Sequence, residues 1–196
     1  GAMAGTIQIY TRARTGVTLE GYVGSHGAQG LSASAGIDLG RFAISASAEK
    51  TDHDGFSKKD PSGHRDESES DSWQVSLSGK PVDRLRLSLD AGKSRIDTRY
   101  PGRLTEAQFD DDPSQNSGSN YTQQDFVSDY WQAGAEFDLT RELTVSLLHS
   151  REDKESVFSS GFASDYDYRS TDVALKFRRE GLAITTGLQA FDGRRI

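Results

Sequence analysis

A strict two-residue alternation of apolar and polar side chains recurs in nine separate segments of this chain. In the run Arg84-Leu85-Arg86-Leu87-Ser88-Leu89-Asp90-Ala91 every odd position is apolar. Trp131, Ala133, Ala135, Phe137 and Leu139 alternate with Gln132, Gly134, Glu136 and Asp138, and Val173, Leu175 and Phe177 with polar neighbours. The same rule covers Val17–Val23, Leu31–Leu39, Phe42–Ala48, Trp73–Leu77, Leu143–Leu147 and Leu182–Ala190. Successive side chains of a strand point to opposite faces, so a period of two predicts half-apolar strands. No helical period of comparable strength appears. Segments of about ten residues have the length that a tilted membrane-crossing strand requires.

Composition narrows what such strands can do. Only 34% of the 196 residues are hydrophobic and the mean hydropathy is -0.66, poor material for a conventional core. No stretch approaches the roughly 18 consecutive apolar residues of a membrane helix. A formal charge of -7 argues against binding a phosphate backbone, and nucleic acid is excluded as a partner on that ground. Such a surface suits cations, or a lipopolysaccharide layer bridged by them. Cysteine is absent, which removes disulfides, thiolate zinc sites and cysteine nucleophiles together.

The connections sort by length as regularly as the residues sort by polarity. Short links fall at Gly40, Lys80–Asp83, Thr140–Glu142 and Glu180-Gly181. Between them lie long polar segments at about 51–71, 98–124 and 154–165, with a shorter one at His26–Gln29. Short turns on one side and long loops on the other are the habit of outer-membrane barrels, whose short side is periplasmic. The expected fold is therefore all-β: an antiparallel up-and-down transmembrane β-barrel of about nine strands. Tyr22, Tyr100, Tyr121, Phe126, Tyr130, Trp131, Tyr166 and Tyr168 lie near the long-loop ends, where an interfacial aromatic girdle is expected. Nine spans leave the two termini on opposite sides, and barrels of one chain favour even numbers. The expectation is a fragment of a larger barrel, with two open sheet edges through which homo-oligomers can form.

The N-terminal residues carry a family resemblance. Gly5-Thr6-Ile7-Gln8-Ile9-Tyr10-Thr11-Arg12 resembles the strand that ends the plug domain of TonB-dependent outer-membrane transporters and leads into their barrel. Asp52-His53-Asp54-Gly55-Phe56 is similar to the tripeptide region after the third barrel strand in the vitamin B12 transporter group. The resemblance implies a 22-stranded barrel in the bacterial outer membrane, closed by a plug, importing a cobalamin-like or metal-chelate ligand. TonB would act only through a part ahead of this chain. The implied organisation is a cloning scar at 1–3, the end of the plug and its lead-in strand at 4–14, and a partial barrel over 15–196.

Chemistry is sparse. Asp52 and Asp54 flank His53, Asp66 follows in the same loop, and Asp110, Asp111 and Asp112 form a run in the next. Carboxylates so spaced can supply oxygen ligands to calcium, and the resemblance implies loop aspartates in that role. These six are the candidate metal ligands, and calcium the candidate cofactor. The four histidines have no metal-binding spacing. No Gly-x-Ser-x-Gly elbow or phosphate-cradling glycine loop occurs, so no enzyme is expected. Arg84, Arg86, Asp90, Glu136, Asp138, Lys176 and Arg178 fall on the polar side of the alternation and are expected to face an aqueous lumen. Two other classes remain open: a self-contained outer-membrane barrel with a structural or adhesive role, and a soluble ligand-binding β-barrel.

Overall fold

The structure, a computed structural model, describes residues 15–195. The segment expected to end a plug, and the scar before it, lie outside the described residues. Nine strands follow in chain order: β1 (Gly16–Val23), β2 (Gln29–Asp38), β3 (Phe42–His53), β4 (Ser68–Val82), β5 (Leu85–Tyr100), β6 (Thr122–Asp138), β7 (Leu143–Phe158), β8 (Ala163–Arg179) and β9 (Leu182–Arg195). Each pairs antiparallel with the next in a single nine-stranded sheet, and β1 and β9 are its edges. This is the up-and-down meander that the alternation predicts.

The short links are tight turns. Gly40 takes φ +82, a conformation other side chains rarely adopt, and its amide donates to Asp38 Oδ1 at 2.7 Å. Thr140 Oγ1 accepts from the amides of Glu142 and Leu143 at the β6–β7 turn. One bulge, between Gly79 and Val82, re-aims the end of β4 around Pro81. Aromatic rings cover the glycines directly opposite them: Tyr22 lies across Gly30, Phe42 across Gly79, Tyr130 across Gly92 and Tyr168 across Gly193. Such pairing restores packing where a glycine has no side chain.

The sheet has no second layer. Among the described residues the single buried apolar side chain is Tyr121, and it belongs to a loop. Large apolar residues stand in the open instead, with Leu19 at 69% and Leu188 at 84% exposure. Within the strands the aliphatic ones share one face, Ile96 excepted. Across the register, Phe42, Gly79, Leu87, Ala135, Leu147, Val173 and Leu188 lie in one row, and Ile44, Leu77, Leu89, Ala133, His149, Thr171 and Ala190 in the next. The other face is polar, as expected for Arg86, Asp90, Glu136, Asp138, Lys176 and Arg178.

The upper limit of the apolar band drifts downward from β2 to β8 and rises by one pair at β9, whose last apolar residue is Ala190 opposite Thr171. The last apolar residue on that face is Leu31 in β2, Ala48 in β3, Trp73 in β4, Ala91 in β5 and Val173 in β8. From Leu31 to Val173 the limit falls by about eight residues, roughly 26 Å along the strands, over six strand spacings, roughly 29 Å. A flat boundary crossing the strands at about 40° produces this drift, which is the tilt of strands in membrane barrels. The band is level only if the strands are tilted.

Two expectations are corrected. The polar segment at 154–165 is strand on both sides of a four-residue connection, because β7 continues to Phe158 and β8 begins at Ala163. Above the apolar band both faces of these strands are polar, so no alternation marks them. The aromatic girdle is also smaller than expected. Tyr22, Tyr100, Phe126, Tyr130, Tyr166 and Tyr168 fall on the polar face by strand parity, and Tyr121 lies in a loop. Trp131, joined by Trp73, stands on the apolar face at the band's upper limit. Adjacent residues such as Tyr130 and Trp131 cannot share a face.

Candidate functional site

The long connections gather at one end of the sheet, where strands leave the apolar band and continue as polar ribbons. Residues 54–67, between β3 and β4, and 101–121, between β5 and β6, fold together there. The second contains the short helix α1 (Glu106–Asp111), which the sequence did not predict. A capping box starts it: Thr105 Oγ1 accepts from the Gln108 amide, and the Gln108 side chain accepts from the Thr105 amide.

Asp60 organises this unit. It is 5% exposed, and its Oδ2 accepts from the Tyr121 amide at 2.8 Å. Its Oδ1 accepts from the Ser62 amide and hydroxyl and from the His64 amide. Burial pushes this carboxyl up, but the four hydrogen bonds outweigh it and hold it well below the usual carboxylate range. The Tyr121 hydroxyl donates to the Lys58 carbonyl at 2.7 Å, so a ring from one loop plugs the other. Lys58 completes the joint. Its amide donates to the Ser114 carbonyl at 2.6 Å and its ammonium to Asp112 Oδ2 at 2.5 Å. That ammonium, and then the Ser114 hydroxyl and amide, bring Asp112 down to about 2, while the bond to Asp112 raises Lys58.

The six expected calcium ligands stand as follows. Asp52 lies next to the end of β3, on the polar extension of the apolar face, and Asp54 packs against Gly27, its amide donating to the His26 carbonyl. Asp66 Oδ1 accepts from the Ser57 amide at 2.7 Å. Asp110 and Asp111 lie on α1, and Asp112 holds Lys58 and Ser114. Among the described residues no three His, Cys, Asp or Glu side chains come together in a way that could hold a metal ion. In this arrangement the six do not fit a hard cation's demand for several converging oxygens. Asp60 and Tyr121 carry the loop architecture, and no local motif marks either. They meet across 61 positions of sequence.

Below the loops, the polar face carries aromatics and charges. Tyr166 and Tyr168 stack at 5.9 Å between centroids, and Tyr168 and Phe191 at 6.0 Å. Lys154 lies 5.5 Å from the Tyr168 ring and the Arg195 guanidinium 5.5 Å from that of Tyr166. Near the short turns a chain of ion pairs crosses four strands. Arg86 donates twice to Asp138 at 2.8 Å and once to Glu136 at 3.0 Å, Lys176 reaches Glu136 at 2.5 Å, and Thr144 donates to Asp138.

A search of solved structures finds the crystal structure of the siderophore receptor PiuA from Acinetobacter baumannii similar to this chain, with a TM-score of 0.65 and 16% identity over 93% of this chain and 31% of that one. The fold is that of an outer-membrane receptor's barrel wall. This chain spans under a third of the length of that receptor. No protein-family model matches the chain. No curated protein matches it either.

Proposed function

We propose that the chain is the first part of the barrel of an outer-membrane TonB-dependent receptor, in which its folded loops and upper lumen wall help capture a small ligand for import. The observation that carries this reading is the apolar band on one face, whose limit crosses the strands at about 40°, backed by an opposite face of mainly polar residues and aromatic rings. A soluble β-barrel would turn its apolar face inward and pack it, whereas here that face stands open on every strand. Between ligand classes, metal chelates have more support than cobalamin, since the similar structure is described as a siderophore receptor. The loop that resembles the vitamin B12 group does not bring its aspartates together.

On this reading the ion-pair chain around Arg86, Glu136, Asp138 and Lys176 faces a plug, and TonB acts through that plug. No covalent chemistry is involved; the wall binds and positions. The decisive experiment measures uptake of radiolabelled ferric chelates and of cobalamin by cells with and without the gene region encoding this chain. Loss of uptake for one ferric chelate is the expected result. Unchanged uptake of all of them would overturn the receptor reading, and loss of cobalamin uptake alone would reverse the choice of ligand.

A further inference from the structure

On the polar face, Tyr130 sits next to Trp131, which marks the upper limit of the apolar band on the other side of β6. Its row runs from Gln74 on β4 through Gly92, Tyr130, Glu152 and Tyr168 to Gly193 on β9. The Tyr130 ring lies across Gly92, and the Tyr168 and Phe191 rings meet over Gly193. One strand separates Tyr130 from Tyr168, so the two stand roughly 10 Å apart. Between them Glu152 accepts from the Ser128 hydroxyl at 3.0 Å and holds the Lys154 ammonium at 3.1 Å. On the β2–β4 side a hollow of about 330 Å³ opens beside Tyr130, walled by Ser32, Ser47, Glu49, Ser72 and Gln74. That is the size of a small-ligand pocket.

The surface is electrically balanced. Between β2 and β9 this row and the next one toward the long loops hold two acids, Glu49 and Glu152, and two bases, Lys154 and Arg195, among the described residues. An anionic chelate would have to displace Glu152 from Lys154 and bring its own charge up to the carboxylates. A cationic ligand fares no better, because Lys154 and Arg195 already lie 5.5 Å from the Tyr168 and Tyr166 rings, where a cation would bind. What remains is open aromatic area, with Phe191 at 66% exposure, beside serine hydroxyls, the Gln74 amide and two carboxylates.

We propose that these rows bind a short run of neutral sugar rings. A pyranose has the matching duality, with apolar C–H faces and a rim of hydroxyls. Tyr130 and Tyr168 pack on alternate sugars of an extended chain, and the sugar between them donates hydroxyl protons to Glu152. The hollow beside Tyr130 takes the next sugar among its serines. A free oligosaccharide and the sugar part of a glycosylated chelate present the same chemistry. The inference rests on the receptor reading above, which puts this face in water, and it adds a ligand class to that reading.

The test uses the full receptor containing this chain, purified from outer membranes in a detergent without sugar headgroups, with binding followed by calorimetry. The probes are cellotetraose, xylotetraose, maltotetraose, a diglucosylated ferric tris-catecholate and the same chelate without glucose. The expected result is binding of at least one oligosaccharide, or at least fivefold tighter binding of the glucosylated chelate than of its sugar-free form. The first identifies a free oligosaccharide as the source, the second a glycosylated chelate. Tyr130→Ala and Tyr168→Ala should each lower that sugar-dependent affinity at least fivefold, while Tyr168→Phe keeps it and the sugar-free chelate is unaffected. A heat-dependent gel shift checks that each variant is folded, and Glu152→Gln, which keeps both rings, should give at least a threefold loss. Equal affinity for the two chelates with no oligosaccharide bound would overturn the inference and leave the receptor reading in place. Equal loss of both chelates in the alanine variants would overturn it too, since the wall would then hold the chelate itself. No binding of any probe would also overturn it, and the uptake experiment alone would then decide the receptor reading.

Discussion

At the scale of single residues, the loops depend on one carboxylate. Asp60 accepts four hydrogen bonds that join two loops, and an amide in its place would present a donor to groups that are themselves donors. Asp60→Asn is expected to raise the rate of tryptic cleavage at Arg103 at least tenfold, with the strands below unaffected. Because Asp60 is held below its ordinary value, its carboxylate stabilises the loops above that value and loses the effect as pH falls through the folded value. Protection of the Tyr121 amide in hydrogen exchange, corrected for intrinsic rate, should stay level from pH 7 to about 4. Asp112 follows between its ordinary 3.8 and about 2, so the Lys58 joint opens only in strong acid. None of this was legible in the sequence. Asp60 reads there as one more solvated charge in an acidic loop, and the partner that distinguishes it is remote.

At the scale of elements, alternation located all nine strands but not their ends. It is written by the apolar residues, and β7 and β8 carry few of them above His149 and Thr171. Where the apolar band stops, the signal stops, although the ladder continues to Phe158. The same logic explains the aromatic residues. Their position along the strand was legible, but the face was fixed by parity, which places Tyr130 on the polar face and Trp131 on the apolar one. Parity also yields a test of which face meets lipid. Leu147 lies within the apolar band and Ser146, its neighbour, on the polar face. Val145→Arg, two residues deeper on the same face as Leu147, should cost about 2–4 kcal/mol in refolding into lipid vesicles, as for a cation well inside the bilayer, and Ser146→Arg under about 1 kcal/mol. Equal costs would remove lipid from the apolar face.

At the scale of the whole molecule, the architecture was the most legible part, because one amphipathic face repeated nine times needs one common apolar surrounding. The candidate metal site was the least legible, since ligation depends on convergence that residue spacing does not encode. Calcium or a chelator is expected to leave the protease resistance of the loops unchanged, given that Asp66, Asp112 and Asp60 already have donors. A calcium-dependent gain of more than about threefold would mean that the six aspartates rearrange into a site. The two sheet edges carry a consequence of their own. β1 and β9 both run from the short turns toward the long loops, so the edges point the same way. Neighbouring copies inserted in one orientation can therefore offer each other only parallel partners. An antiparallel neighbour, the pairing used throughout this sheet, has to be a strand running from the long-loop end toward the short-turn end.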